Sequence, residues 1–303
     1  MKVLITGAWK CTQEQIDKIK SFGNEVYFLQ YENEKLPCDY RDVEIVIGNG
    51  LFLSHPIERF TNLKYIQLTS AGVERVPTDH VKAHKIEIKN AKGVYSIPMA
   101  EFAISGVLYL YKQIDFFSEN QKIHKWEKHR GILELYGKTV CIVGCGSVGT
   151  ECAKRFSVFG CRVIGIDLFP YENPLYEGLY PLECLEAKLA ESDIVILTLP
   201  LTGQTRHLMN ADTLSHMKKN SILVNIARGE IVDSEALVVA LRGKLGGAVL
   251  DVFEDEPLEG NSPLWEMKQV MLTPHNSFIG DGNSQRLAEL IIKNMEQYCG
   301  CGP

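Results

Sequence analysis

The sequence has no apolar run long enough to cross a membrane, so a membrane-bound protein is not expected. It also has few basic residues: 32 Lys and Arg stand against 38 Asp and Glu, for a net charge of −6. This balance argues against nucleic acid and against a membrane surface as partners. The first residues resemble a β-strand entering a turn and lack the pattern of a signal peptide.

A CxxC pair and the serine-hydrolase elbow are absent as well. His80 and His84 are the one histidine pair with HxxxH spacing, and no cysteine pair accompanies them, so no metal is expected. The nine cysteines are odd in number and scattered, which favours free thiols in a reducing cytoplasm. Near the end of the chain, Cys299 and Cys301 are interpreted as an inert tail rather than a redox or metal site. Exposure to solvent is expected for the histidines on polar stretches, namely His55, His80, His84, His124, His129, His207 and His216.

A glycine-rich turn between two β-branched runs is the most informative feature that is present. Gly144, Gly146 and Gly149 follow the first run and open a helical segment, and Asp167 ends the second run. In such a unit the glycines allow a tight turn, the approach of a pyrophosphate and close helix packing, respectively. Asp167 suits a ribose 2′-hydroxyl and would repel a 2′-phosphate, so NAD is favoured over NADP. The position of the unit in mid-chain disfavours FAD.

Short strands alternate with helical or irregular segments in the first third of the chain, which predicts a small parallel α/β unit. A glycine turn at residues 69–73 follows the fourth strand. It either offers backbone amides to an anion or simply joins a strand to a helix, and the residues alone favour the simple connection. A helix is predicted at Thr12–Ser21, and strands are predicted at Lys2–Thr6, Glu25–Leu29, Val43–Ile47, Lys64–Leu68 and Lys85–Ile88.

A long helix is predicted from Ser96, the expected N-cap, with Pro98 in its first turn and an apolar stripe that continues to Phe117. The stripe is long enough to cross between domains or to form a subunit interface. The polar segment that follows is interpreted as a surface excursion around Trp126, which is either an interface anchor or a locally packed aromatic. Residues 170–181 contain three prolines and are expected to form a loop.

Charged side chains directly follow three strands predicted in the second half of the chain. These are Arg228, Asp251 and His275, and an acidic turn at residues 254–256 lies close by in the sequence. Because ligands of parallel sheets bind outside the carboxyl ends of the strands, these groups are expected on one rim. There Arg can clamp a carboxylate and His can transfer a proton. The strands predicted in this half are Asp193–Thr198, Ser221–Ile226, Gly247–Leu250 and Gln269–Leu272.

Taken together, these segments resemble the D-isomer-specific 2-hydroxyacid dehydrogenase family over nearly the whole chain. The resemblance implies that Arg228 binds the carboxylate and keto oxygen of the substrate. It also implies that His275 is the acid/base, that Glu256 pairs with it, and that Asp251 holds the nicotinamide carboxamide. The segments that match the family are residues 63–73, 144–149, 193–202, 224–233, 250–257 and 272–275.

The same resemblance implies two Rossmann-like or flavodoxin-like parallel-sheet domains and a homodimer formed through the long helix. The doubly wound NAD-binding domain, residues 98–276, is inserted into a substrate-binding domain made of residues 1–97 and 277–303. Backbone amides of Ala71 and Gly72 would take the substrate carboxylate, which revives the anion-binding alternative. The residues expected to contact NAD are Gly144, Gly146, Ser147, Val148, Gly149, Asp167, Pro200, Thr205, Ala227 and Asp251.

The expected activity is the interconversion of a D-2-hydroxy acid and its 2-oxo acid, mainly as a glyoxylate- or hydroxypyruvate-like reductase. An NAD(H)-sensing protein of the corepressor type and 3-phosphoglycerate dehydrogenase are the alternatives. A phosphorylated substrate is disfavoured because no basic cluster lies near Gly72, and formate dehydrogenase is disfavoured because such relatives carry Gln in place of Glu256. Substrate selectivity is expected from residues 48–53, Trp126 and Phe278, which departs from the small residues common in the family.

Overall fold

The computed structural model describes residues 1–300, so Cys301 lies outside the described part of the chain. The protein consists of two compact α/β units, Met1–Tyr95 with the chain from Gly280 onward, and Ser96–Ile279. The predicted limits at 97/98 and 276/277 differ from these by two and three residues. The predicted fold class, with two parallel-sheet domains, is confirmed.

The strands and helices are numbered along the chain. The strands are β1 Lys2–Thr6, β2 Glu25–Leu29, β3 Ile45–Gly48, β4 Tyr65–Leu68, β5 Glu87–Lys89, β6 Thr139–Val143, β7 Arg162–Ile166, β8 Gly178–Tyr180, β9 Ile194–Leu197, β10 Ile222–Asn225, β11 Gly247–Leu250 and β12 Val270–Leu272. The helices are α1 Gln13–Ser21, α2 Leu51–Ser54, α3 Thr78–Ala83, α4 Ser96–Tyr111, α5 Ile114–Lys122, α6 Ser147–Val158, α7 Leu185–Glu191, α8 Ala211–His216, α9 Ser234–Gly243 and α10 Asn283–Gly300. None of the described helices is long and apolar enough to span a membrane.

The first unit is a five-stranded parallel sheet in the order β2-β1-β3-β4-β5, with helices on both faces. Alternate residues of β1 enter different cores: Leu4 joins one cluster, and Val3 and Ile5 join the other. The C-terminal helix α10 covers the second cluster through Leu287 and Ile291. Thr12 caps α1 in a capping box with Gln15, which explains why the predicted helix begins there.

The second unit is a seven-stranded parallel sheet in the order β12-β11-β10-β9-β6-β7-β8. Both β6 and β9 are apolar and buried almost throughout, as expected of parallel strands that helices cover on both faces. The chain continues from β6 to β7 on one side of β6, whereas β9 pairs with β6 on the other side. The strand order therefore reverses between β6 and β9, which is where doubly wound sheets bind ligands at the carboxyl ends of their strands.

Three local predictions about secondary structure were wrong. The long helix is broken into α4 and α5 because Gln113 adopts a left-handed conformation with φ of +52°. Ser96 is the first residue of α4, and is buried, rather than its N-cap. Within the predicted loop at residues 170–181, Gly178–Tyr180 adds to the sheet as an edge strand beside β7.

One aromatic side chain differs from its expected environment, and the exposure of another excludes one of its two alternatives. His55 is buried rather than exposed: its Nδ1 pairs with the Tyr40 hydroxyl at 2.8 Å, and the ring of Phe60 packs edge-on against Tyr40. Its polar sequence neighbours gave no sign of this aromatic cluster. Trp126 is 98% exposed, so it is not a locally packed aromatic. The eight described cysteines are free.

Candidate active site

The glycine turn after β6 has the geometry that its sequence predicts. Gly144 has φ of +98°, and a Cβ at this position would lie 2.6 Å from the backbone nitrogen of Leu199. A Cβ on Gly149 would meet the carbonyl oxygen of Gly144, so a side chain there would push α6 away from the turn. Gly146 has no atom within 4 Å of its Cβ position. The backbone is therefore open at the one glycine that is expected to face a pyrophosphate.

Helix α6 presents its first amides without a side-chain cap, because Gly146 is its N-cap. Such amides, with the positive end of the helix dipole, suit a phosphate. Ser147 is the first residue of α6, and Val148 packs at the edge of the core. Burial raises the pKa of the Cys145 thiol in this turn to about 12, so the thiol stays protonated.

Asp167 lies at the end of β7, beside the glycine turn. Its Oδ2 accepts a hydrogen bond of 2.7 Å from the Cys145 backbone, and its Oδ1 accepts one of 3.0 Å from the Phe169 backbone. Two backbone donors thus hold the carboxylate at the mouth of the turn. The open Gly146, the uncapped helix and this carboxylate fit the pyrophosphate and ribose of a dinucleotide.

A largely apolar cavity lies at the carboxyl ends of β6, β7 and β9. The Thr205 hydroxyl donates to the Pro200 carbonyl at 2.7 Å and accepts from the Thr202 backbone at 2.7 Å, which fixes one wall. Thr198, which sequence reasoning missed, donates to the Gly144 carbonyl and joins the loop after β9 to the glycine turn. The cavity is lined by Val143, Gly144, Ile166, Asp167, Leu168, Leu182, Leu199, Pro200, Thr202 and Thr205.

Arg228 lies in a loop that the buried side chain of Asn225 shapes. The Asn225 Oδ1 accepts from the Ala227 backbone at 3.1 Å, and its Nδ2 donates to the Arg228 carbonyl at 2.9 Å. Gly229 then lets the peptide between Phe253 and the next residue lie directly against it, where no side chain would fit. Asn225 is a site residue that sequence reasoning missed. The feature of the sequence that could have identified it is its position as the last residue of β10, three residues before Arg228.

Asp251 is completely buried and fixes the loop that carries His275. Its Oδ1 accepts from the Thr273 hydroxyl and the Asn276 backbone, both at 2.7 Å, and its Oδ2 accepts from the Ser277 backbone at 2.9 Å. Its carbonyl also accepts from the His275 backbone at 2.7 Å. Both carboxylate oxygens of Asp251 therefore accept hydrogen bonds from this loop. The predicted contact of Asp251 with the nicotinamide carboxamide would be made in addition to these bonds.

His275 and Glu256 form the pair that the sequence predicted. The Nδ1 of His275 lies 2.9 Å from Oε2 of Glu256, whose Oε1 accepts from the Phe253 backbone at 3.1 Å. The ring of Phe278 stands edge-on to the imidazole at 6.1 Å. With Nδ1 facing the carboxylate, the Nε2 of His275 is the nitrogen placed to exchange a proton with a ligand.

Arg228, Glu256 and His275 follow β10, β11 and β12, which are neighbours in the sheet. The loops of the first two are in direct contact through Gly229 and Phe253. A planar cation, a proton donor and a carboxylate that supports the donor thus occupy adjacent loops at the carboxyl edge of one sheet. This set can bind a carboxylate and transfer a proton at a neighbouring oxygen.

Ala71 and Gly72 lie in the first unit, in the turn after β4. The carbonyl of Ala71 accepts from the side chain of Asn90 at 2.6 Å, and that of Gly72 accepts from the Ser70 hydroxyl at 2.9 Å. Within the described residues, the amides of Ala71 and Gly72 donate to no other group, so they remain available to an anion. The Glu74 carboxylate lies against Gly72 in the same turn.

Comparison with known proteins identifies the family. Residues 104–277 match the family model described as the D-isomer specific 2-hydroxyacid dehydrogenase, NAD binding domain. Glyoxylate reductase from Thermofilum pendens is 36% identical over 77% of this chain and 71% of that protein. D-3-phosphoglycerate dehydrogenase from Methanocaldococcus jannaschii is 32% identical over 91% of this chain and 53% of that longer protein.

The fold is similar to that of a solved structure from the same family. The D-isomer specific 2-hydroxyacid dehydrogenase from Xanthobacter autotrophicus Py2, in complex with NADPH and MES, superimposes with a TM-score of 0.81. It is 28% identical, and the match covers 100% of this chain and 96% of that one. The chain therefore belongs to the D-isomer-specific 2-hydroxyacid dehydrogenases, NAD-dependent oxidoreductases that act on the CH–OH group of their substrates.

Proposed function

We propose that the protein reduces a small 2-oxo acid, of the glyoxylate or hydroxypyruvate kind, to the D-2-hydroxy acid with NADH. The observation that carries the proposal is the 2.9 Å pair between His275 and Glu256 on the loops next to that of Arg228. The similarity to glyoxylate reductase from Thermofilum pendens supports the substrate class.

In the proposed reaction, Arg228 binds the substrate carboxylate and polarises the keto oxygen. Bound NADH supplies the hydride that forms the new C–H bond at C2. His275 gives its Nε2 proton to the keto oxygen as negative charge develops there, and it is reprotonated from solvent afterwards. Glu256 stabilises the imidazolium before transfer and fixes the ring orientation. Oxidation of the hydroxy acid reverses these steps.

We assign the backbone amides of Ala71 and Gly72 to the substrate carboxylate, because nothing in the described chain uses them. On the coenzyme side, Gly146, Ser147, Val148 and the start of α6 would hold the pyrophosphate, and Asp167 would hold the ribose. Contacts to bound NAD are further assigned to Gly144, Gly149, Pro200, Thr205, Ala227 and Asp251.

We infer that the working form is a cytoplasmic homodimer. The free cysteines fit a reducing compartment. Trp126, Ile123 and Tyr136 are 98%, 69% and 80% exposed, and they follow the apolar helix α4 in the chain. A second copy of the chain would cover these apolar side chains. Light scattering coupled to gel filtration tests this inference, and a molecular mass of one chain would contradict it.

The substrate is tested by NADH oxidation at 340 nm with glyoxylate, hydroxypyruvate, pyruvate, oxaloacetate and bulkier 2-oxo acids, beside a matched NADPH series. We expect turnover with a small 2-oxo acid, preference for NADH, and a D-configured product wherever the product is chiral. Absence of turnover with every acid, despite tight NADH binding, would contradict the reductase and favour an NAD(H)-sensing role.

3-Phosphoglycerate dehydrogenase is the second candidate, because the relative from Methanocaldococcus jannaschii carries that name. Phosphohydroxypyruvate is therefore included in the panel. A marked preference for it over hydroxypyruvate would favour this activity, whereas the opposite preference would favour the unphosphorylated substrates.

A further inference from the structure

A second histidine–carboxylate pair lies beside the His275–Glu256 pair and is not used by the proposed reaction. The Nε2 of His207 lies 2.5 Å from Oε1 of Glu254. The other oxygen, Oε2, accepts from the backbone of Ser234 at 2.9 Å. We call His207, Ser234 and Glu254 the clamp. The side chains of His207 and Glu254 are 43% and 25% exposed, respectively.

The clamp joins three loops of the second unit. The His207 backbone donates to the Glu230 carbonyl at 2.8 Å, which ties the loop after β9 to the loop that carries Arg228. Ser234 begins α9, directly after that second loop. Glu254 belongs to the third loop, and its backbone nitrogen packs against Gly229. The side chain of Glu254 therefore fastens the loop of Glu256 to the loop of Arg228.

The three carboxylates of the acidic run at residues 254–256 have different partners and exposures. Glu254 faces the clamp and Glu256 faces His275, whereas Asp255 is exposed and makes no side-chain hydrogen bond or ion pair within the described chain. Burial raises the pKa of Glu254, but hydrogen bonds from Ser234 and His207 outweigh burial, so its pKa is lowered overall. The run is therefore not a uniformly solvated acidic turn.

Glu256 needs such support because it lies near the surface. The side chains of Glu256 and His275 are 38% and 41% exposed, and an exposed pair gains little from its own contact. The backbone amide of Phe253, the residue next to Glu254, donates a hydrogen bond to the Glu256 carboxylate and orients it from its own loop. The clamp is thus one residue away from the amide that holds Glu256 toward His275.

We propose that Glu254 and His207 are positioning residues of the reaction, which hold the Glu256 loop so that Glu256 keeps its contact with His275. This inference rests on the proposed role of His275 as the proton donor. Neither Glu254 nor His207 is placed in contact with the substrate or the coenzyme. Substitutions that remove the hydrogen bond between His207 and Glu254 should therefore slow the chemical step without weakening coenzyme binding.

The test uses the full-length enzyme with its best 2-oxo acid and compares Glu254→Gln, His207→Ala and His207→Gln with Asp255→Asn as the matched control. We expect Glu254→Gln and His207→Ala to lower kcat by roughly 10- to 100-fold, the range for a small misplacement of a catalytic group. The dissociation constant for NADH should not change. His207→Gln keeps a side-chain donor and should recover most of the lost rate, and Asp255→Asn should match the wild type.

The primary isotope effect with deuterated NADH, together with thermal unfolding, distinguishes a positioning role from a merely structural one. A larger isotope effect in Glu254→Gln and His207→Ala, with the folded fraction intact, is the expected result. Wild-type kcat in both folded variants, or losses that only follow the unfolded fraction, would overturn the inference. A His275→Gln variant measured alongside separates the two proposals, because its full activity would contradict the proposed function itself.

Discussion

At the scale of single residues, the glycines of the turn after β6 differ in what surrounds them. Gly144 and Gly149 are enclosed by backbone atoms of the protein itself, whereas Gly146 faces open space. The first two are thus required for folding. The protein itself imposes no such requirement on Gly146, because its φ of −76° is outside the left-handed region and no atom lies within 4 Å of its Cβ position.

We therefore predict that Gly146→Ala folds normally and binds NADH weakly. Loss of the glycine at an N-cap should change the free energy of unfolding by no more than about 1 kcal/mol. The added methyl group should hinder the pyrophosphate and raise the dissociation constant for NADH by roughly tenfold or more. Calorimetric titration and urea unfolding measure the two effects. Gly260→Ala, at another open position, is the control, and unchanged affinity in Gly146→Ala would contradict the assignment.

Sequence reasoning at this scale identified residue types but not their partners. Arg228, Glu256 and His275 stood out because each follows a strand or lies in a distinctive acidic run. His207 and Glu254 are 47 positions apart, and no local pattern links them. Their pairing depends on how the loops after β9 and β11 meet, which only the folded sheet determines.

At the scale of elements, buried β-branched runs made the strands predictable. β1, β2 and β11 have the predicted limits, and the other predicted strands are shifted by one or two residues. β8 was missed because an edge strand of three residues has no such run. The break at Gln113 was missed because the apolar stripe continues across it, and a single left-handed residue leaves no mark in hydrophobic spacing.

The loop after β12 depends on one buried carboxylate, so Asp251→Asn should loosen it. An amide can no longer accept at both positions, and one of the donors from Thr273, Asn276 or Ser277 loses its partner. We predict a loss of about 1–3 kcal/mol in the free energy of unfolding and a larger drop in kcat than in NADH affinity. Urea unfolding and steady-state kinetics are the measurements, and wild-type kcat would contradict this role.

Asp193 ties the starts of β6 and β9 to the segment before β10, through the Thr139 backbone at 3.0 Å and Lys218 at 2.6 Å. Burial raises the pKa of Asp193, but these two hydrogen bonds outweigh burial and lower it overall. A lowered pKa in the folded state contributes stability above the unfolded value of about 3.9. That contribution is lost as the pH falls below this value through the folded pKa.

We predict that Asp193→Asn has a lower free energy of unfolding than the wild type at about pH 6. This difference should decrease toward about pH 3 as the wild-type carboxylate becomes protonated. Urea unfolding across this pH range measures the difference in free energy of unfolding. A difference that does not change with pH would show that the charge of Asp193 does not stabilise the fold.

At the scale of the whole molecule, one seven-stranded sheet carries both the glycine turn proposed to bind the coenzyme and His275, the proposed proton donor. The crevice at β6 and β9 and the loops after β10, β11 and β12 share one carboxyl edge. This edge brings together charged residues that are far apart in sequence, as the proposed reaction requires. The family follows from the ordered motifs, whereas the particular 2-oxo acid depends on loop side chains that have no readable pattern.

The most direct test of the account is the rate of NADH oxidation by glyoxylate and hydroxypyruvate in the wild type and in His275→Gln, with NADH binding measured on both. Removal of the proton donor should lower kcat by roughly 10²- to 10⁴-fold while NADH affinity is retained. Turnover by His275→Gln at the wild-type rate would contradict the assignment of His275 and, with it, the proposed reaction.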